Sequence, residues 1–442
     1  MAQCNDTLIV RMFLVLSLVL IPVPRLAAQA VGSDREDLRA ALERANERIA
    51  QLESAVSEMK ASDADTWLNE ARAEAVREVV EQVIADADQR RSLRDGPSVG
   101  YDNGFFIRSA DGNHQLKVRG FLAVRYLFNS RDDVDDGQVS GFEIARTRFG
   151  FMGHVIDPSW TFKIWTGDKA NGDNILLDAF ITKTFDNGLS VTAGQFKLPF
   201  WREYLVSEVN LQFVERSLLS FASSGSYTQG VKANFRDEAV HLVASINDGR
   251  STINTTFGET TSDFAATGRV EWKLFGPWGQ YKAYDAFRGS DPALILGAAA
   301  HYQEGENDTD RPNLWKWTAD GLLQGDGWNL VAAVIGCHTD SSIRGDFVGV
   351  LAQGGVFLTE DVELIGRYEW ADSDLAGVED LSIATAGVSV FFSKFNARWT
   401  TDAGYSFNPV NDRWDASAAG YLIDAGGEDG QAVVRSQLQL LF

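Results

Sequence analysis

The chain has 442 residues, and its 62 Asp and Glu against 40 Lys and Arg leave a formal net charge of −22, which argues against nucleic acid as a partner because the phosphate backbone repels so acidic a surface. Forty glycines, 12 tryptophans and 9 prolines suit an exported protein; the length could build two or three ordinary domains, yet barrels run long as single domains. No run of eighteen apolar residues follows the N-terminal segment, which excludes a spanning helix there.

Arg11, an apolar run from Met12 to Ile21, Pro22, Pro24 and the Ala28-Gln29-Ala30 triplet read as a removed secretory signal peptide over residues 1–30. Cys4 would leave with it, so the mature chain keeps Cys337 alone and no intrachain disulfide framework is possible. Residues 31–95 are expected to form a periplasmic coiled-coil segment. Leu38, Leu42, Ala45, Ile49, Leu52, Val56 and Met59 recur at steps of four and three, and a second stripe runs through Val76, Val79, Val80, Val83 and Ile84. Self-association into a trimer covers such a seam; an amphipathic helix lying on the chain's own barrel is the other way to do so. Residues 96–113 read as a linker, with GFFIRS inside it as either a short strand or a plug.

From His114 onward the grammar is that of strands with one oily and one basic face. In HQLKVRGFLAVRYLF, Leu116, Val118, Leu122, Val124, Tyr126 and Phe128 oppose Lys117, Arg119 and Arg125. In FEIARTRFGFMGHV, Ala145, Thr147, Phe149, Phe151 and Val155 oppose Arg146, Arg148 and His154. Trp160, Phe162 and Ile164 then oppose Lys163, and ILLDAFITKTF runs into Asp186-Asn187-Gly188, which signals a type I′ hairpin turn. LSVTAGQFK follows, and a long third loop opens with GQFKLPFWREY and closes with ERSLLSF.

FEIARTRFGFMGHVIDPSW, LLDAFITKTFDNGL, GQFKLPF and ERSLL, in this order and spacing, resemble segments of the phosphate-selective porin O and P family of Gram-negative outer membranes. The resemblance is clearest over about a quarter of the chain. It implies an outer-membrane porin whose third loop folds into the lumen.

The same alternation continues through Lys232 and Arg236, Arg269 and Lys273, Arg367, Arg398 and Arg435, each set against apolar neighbours. Residues 276–292 are too long for a short turn and suggest an inward fold or a small helix. Trp315, Trp317 and Trp328 fall beside loops and turns, as interfacial aromatics do. The chain ends on Phe442, resembling the C-terminal signal read by the outer-membrane assembly machinery. About sixteen strands with long and short connections alternating predict an all-β, antiparallel transmembrane barrel over residues 114–442.

Turning the apolar face to outer-membrane lipid leaves Lys117, Arg119, Arg125, Arg146, Arg148, Lys163, Lys232, Arg236, Arg269, Lys273, Arg367, Arg398 and Arg435 lining the pore, against inward Glu271, Glu363, Glu369 and Asp402, with Asp178 undecided. Rings of Lys or Arg favour anions. The constriction loop carries Lys197, Arg202 and Arg216 with Glu203, Glu208 and Glu215, a near balance that suits a general anion or small-solute pore at least as well as one selecting phosphate. The five histidines lack metal-ligand spacing, no nucleophile elbow or phosphate-binding loop appears, and no cofactor is expected. The expected function is therefore passive diffusion of small hydrophilic solutes through a homotrimer, with anions preferred and phosphate among them. Two alternatives stand beside it: an envelope protein tethering the outer membrane through its coil, and a barrel enzyme.

Overall fold

The computed structural model describes residues 97–442 apart from 132–136, 169–173, 224–225, 257–261, 306–312, 342–344, 415–418 and 425–429, together with Glu47, Ala50 and Gln51, which are helical. The chain divides into two units, Met1–Arg94 and Asp95–Phe442. The expected signal peptide, and the expected coiled coil apart from those three residues, lie outside the described residues.

The second unit opens with a hairpin, β1 (Ser98–Tyr101) and β2 (Phe105–Arg108), inside the stretch read as a linker. The wall follows as β3 (Gln115–Arg131), β4 (Gln138–His154), β5 (Trp160–Asp168), β6 (Asn174–Thr184), β7 (Leu189–Lys197), β8 (Tyr227–Arg236), β9 (Val240–Asn247) and β10 (Phe264–Phe275). It continues as β11 (Ala293–Glu304), β12 (Leu314–Gly325), β13 (Trp328–Thr339), β14 (Phe347–Phe357), β15 (Val362–Ser373), β16 (Leu381–Ser393), β17 (Ala397–Ser406) and β18 (Gln431–Leu441). Each strand pairs antiparallel with the next, and β18 pairs with β3 from Leu441 opposite Phe121 to Gln431 opposite Arg131, closing a sixteen-stranded barrel among the described residues. The first residues of β3 hold β2 instead. Closure satisfies every edge, which lipid cannot do with hydrogen bonds of its own.

The seam of the barrel is tied by its last residue. Phe442 exchanges backbone hydrogen bonds with Gly120 at 2.9 and 2.7 Å, and its ring lies 2.5 Å from where a Cβ on residue 120 would stand. A glycine there lets the terminal aromatic lie flat on the wall.

Three sequence expectations are corrected in detail. The Asp186-Asn187-Gly188 turn is not type I′, since only Gly188 takes a positive φ, 83°; Phe185 O accepts from Gly188 N at 3.2 Å, so a type I turn is followed by a left-handed glycine. Ala145 does not join the lipid face. Arg146 pairs with Ala123 while Ile144 pairs with Val124, so Ala145 is the extra residue of a bulge, and it packs beside Phe121 and Ala123. The third correction concerns half of the wall. Inward positions of β11 to β16 include Ala299, Leu314, Ile335, Phe347, Leu351 and Ile383, all buried. These strands mix apolar residues with polar ones on their inner face, and that face is covered by polypeptide.

That cover comes from three connections. The third loop carries two short helices, α1 (Arg202–Leu205) and α2 (Leu218–Ser223), and its Leu198, Phe200, Trp201, Leu218 and Leu219 join the inner residues of β11 to β16 and the last loop's Val410, Trp414 and Tyr421 in one core. Residues 276–292 fold inward through a 3-10 turn at Trp278–Lys282, placing Tyr281 and Tyr284 against the third loop's Val206 and Leu211 and against Ile295, Leu322 and Val331 of the wall. Outside, Trp315, Trp317 and Trp328 are exposed along with Leu296, Val350, Leu364 and Leu438, the surface a hydrocarbon layer would cover.

Candidate functional site

The lumen is crossed by the third loop, and the strands' own alternation aims basic groups at it. Arg125 and Arg146 both reach Glu215, the former at 3.0 Å; Arg125 also pairs with Glu143. Arg148 meets Glu208 at 2.9 Å, and Arg146 and Arg216 stand 3.6 and 3.7 Å from the same carboxylate. On the far wall Arg367 pairs with Glu203 at 3.4 Å and donates to the carbonyl of Glu215 at 3.0 Å. Arg398 meets Asp285 at 3.6 Å and donates to the carbonyl of Leu211, while Arg435 pairs with Asp402 at 2.6 Å. Asp402 in turn accepts from the amide of Val214 at 2.9 Å, and Glu369 from that of Leu219 at 2.9 Å. Wall cations and wall carboxylates therefore bind the loop on both sides, with geometry that removes most of them from contact with a passing ion.

Burial is the largest single influence on Glu208 and Glu215 and would raise both carboxyls. The guanidinium groups around them outweigh it, Arg146 first in each case, and hold both below the ordinary carboxylate range. Glu203 is used differently, accepting from the amide of Ser217 at 2.9 Å and so tying the two ends of the loop together. Arg202 stacks 3.6 Å above the Tyr281 ring, joining the loop to residues 276–292.

What remains open is a cavity of about 330 Å³ between the loop and the inner face of β3 to β10. Among the described residues it is lined by six basic side chains, Arg119, Arg148, Lys163, Lys197, Lys232 and Arg269, and by three carboxylates, Asp178, Glu208 and Glu271. The carboxylates are all spoken for: Lys163 meets Asp178 at 2.6 Å, Arg148 meets Glu208, and Arg269 meets Glu271 at 2.8 Å. Lys197 donates to the carbonyls of Tyr204 and Val206 at 2.8 and 3.2 Å. Arg119 and Lys232 form no ion pair with any described residue, and the Arg119 Nε is buried without a hydrogen-bond acceptor. Three basic side chains without a carboxylate partner thus face one cavity. Lys117, Arg236 and Lys273 sit near the strand ends beside the short turns, Lys117 paired with Asp102 at 3.0 Å and the other two beside the Trp278 ring.

Some inner-face groups went unread in the sequence. Asp320, bonded to Arg269 at 2.9 Å, and Lys316, bonded to the carbonyl of Ser223 at 2.7 Å, alternate with Trp315 and Trp317 on β12, and the strand period alone would have found them. Asp285 had no such signal, since it lies in the irregular inward fold. Asp178, undecided in the sequence, points inward. Of the histidines, His241 meets Glu271 at 2.8 Å and His338 meets Asp346; no group of three metal-ligating side chains occurs among the described residues.

The family model described as Phosphate-selective porin O and P matches residues 118–270. That span runs from β3 to β10 and includes the third loop, and over it the resemblance read from the sequence is borne out. No curated protein sequence matches the chain. Among solved structures the fold is similar to Pseudomonas putida OprB, at 10% identity over 74% of this chain and 94% of that one with a TM-score of 0.54. It is also similar to Salmonella typhi OmpF in complex with daunomycin, at 14% identity over 78% and 100% with a TM-score of 0.52. An anion-selective porin from Comamonas acidovorans matches at 11% identity over 74% and 99% with a TM-score of 0.50.

Proposed function

We propose that this protein is a porin of the bacterial outer membrane through which small hydrophilic solutes diffuse passively, anions ahead of cations. The observation that carries this reading is the charge around the open cavity. After three ion pairs, Arg119, Lys197 and Lys232 remain without a carboxylate partner, and a low-dielectric wall concentrates the field of their protonated forms on the path. The acidic balance of the whole chain does not oppose this, because a potential inside a cleft is set by the groups that line it.

The pore-lining role belongs chiefly to Lys117, Arg119, Lys163, Lys232, Arg236 and Lys273. Arg148 and Arg269 border the cavity while paired with Glu208 and Glu271, and Arg125, Arg146, Arg367, Arg398 and Arg435 are taken up in ion pairs that fasten the inward loops and wall. Phosphate is one anion among several, since the loop's Lys197, Arg202 and Arg216 face Glu203, Glu208 and Glu215 in equal number. Trimerisation through residues 31–95 is part of the same reading, as is insertion guided by the strand ending at Phe442. Purified protein in a planar bilayer under a salt gradient should give a reversal potential on the anion side, with closures in threes. A potential on the cation side would remove the anion preference, and absence of conductance would remove the channel.

A further inference from the structure

The cavity's charge accounts for its preference of sign, but its other walls are unlike those of a path for inorganic ions. Trp165, Phe180 and Phe196 line it together with Phe121, Val243 and Leu441. Two of its cations are set against rings: Lys232 Nζ lies 4.3 Å from the centre of Phe196 and 5.6 Å from that of Phe180, and Lys163 Nζ lies 5.7 Å from that of Trp165. The indole of Trp165 is laid along the wall by a glycine: a Cβ on Gly150 would stand 2.2 Å from its ring carbon Cε3. Half-buried Trp165 and Phe180 leave ring surface toward the cavity.

We infer that this cavity binds small aromatic carboxylates in transit, the carboxylate meeting Arg119 or Lys232 and the ring meeting Trp165 and Phe180. This rests on the porin reading and narrows its substrate class. The chemistry is a matter of paired requirements. A strongly hydrated inorganic anion gains from the cations but leaves the aromatic wall unused, whereas a carboxylate carrying a ring satisfies both. Guanidinium offers the planar fork a carboxylate matches, and offset or edge contacts between rings add to burial. A volume of about 330 Å³ is at the low end of small-ligand pockets, which span roughly 300–1,000 Å³.

Calorimetric titration of the detergent-solubilised full chain with sodium benzoate, sodium acetate and inorganic phosphate tests this. Benzoate should bind about tenfold more tightly than either of the others, ~1.4 kcal/mol, and benzylamine, which keeps the ring and reverses the charge, should not bind. Trp165→Leu and Phe180→Leu should each narrow the ratio of benzoate to acetate, and Lys232→Gln should weaken benzoate and acetate alike. Equal affinity for benzoate and acetate in the unaltered protein, tighter phosphate, or binding of benzylamine overturns the inference whatever the variants do. The reversal potential separates the two readings: anion-selective conductance without benzoate preference sinks this inference alone, and cation-selective conductance sinks the anion preference of the pore while the titration still decides the binding.

Discussion

The two halves of the barrel wall, β3 to β10 and β11 to β18, obey the same strand period and meet different interiors. In the second half a set of inward apolar residues on β11 to β16 disappears under the third loop, residues 276–292 and the last loop, so that a core like that of a soluble domain sits inside the barrel among buried polar groups. In the first half the inward residues stay basic and aromatic, and the cavity survives beside them. The stretch matched by the family model coincides with that open half. The lesson is that the loop is held by ion pairs on the first half of the wall and mainly by apolar packing on the second, and only the first half keeps a cavity beside it. Arg367, Arg398 and Arg435 are thereby fastening groups, although on a strand diagram they are equivalent to Arg119 and Lys232.

The largest expected effect falls on the second half. Trp201→Ala empties a fully buried site in the core between the loop and β11 to β16 and should cost about 3–5 kcal/mol, read as a lower temperature of barrel unfolding on a gel and as noisier, larger single-channel currents. If the variant is as stable and as quiet as the parent, the second half does not hold the loop. Glu215→Gln comes next. It strips Arg125 and Arg146 of a buried carboxylate, for which the range is about 3–5 kcal/mol, and the remaining Glu143 and Glu208 bring the expectation to its lower end. Here the loop should loosen on the open side, with conductance rising and anion preference strengthening, because one negative charge is removed from beside the path.

Gly150→Ala is a smaller disturbance confined to the first half. The added methyl meets both the Trp165 ring and the carbonyl oxygen of Ile164, so the strands must part slightly as well as the ring move, an overpacking cost of about 1–3 kcal/mol, and the indole should swing into the cavity and lower conductance without altering the sign of selectivity. Arg119→Gln should shift the reversal potential toward zero with little change in unfolding temperature, since the group has no ion pair to lose; an unchanged potential would place the path elsewhere. The smallest effect concerns pH. Glu208 and Glu215 have carboxyls depressed on folding, and such groups give stability that is complete above their ordinary value of 4.5 and is lost only as pH falls through the lowered one. Conductance should therefore stay level from about pH 7 to about pH 4.5, and a step inside that window would show that the clamp depends on other groups.

Much of this was legible residue by residue. Alternation in HQLKVRGFLAVRYLF and FEIARTRFGFMGHV placed Arg119, Arg146 and Arg148 on the inner face, because a period of two admits no other side once its apolar partners face lipid. The closing strand and the strand number were readable for the same local reasons, and the inward third loop from the resemblance to a porin family. Asp320 and Lys316 follow the same period, alternating with Trp315 and Trp317 on β12. What could not be read was which basic residue would find a carboxylate. Arg125 and Glu215 are ninety residues apart, and Arg398 meets an aspartate from residues 276–292, whose path follows no repeat.

The amino-acid order alone determined a closed antiparallel barrel with a sided wall and a loop long enough to enter it, since strand period, turn residues and segment length are local properties set by sterics and by the span of a membrane. Only the tertiary structure decided that part of that wall is a packing surface and that Arg119, Lys197 and Lys232 meet no carboxylate in the remaining space. Pairing depends on distances of a few ångströms between groups far apart in the chain, and those distances exist only after the loop has folded against the far wall.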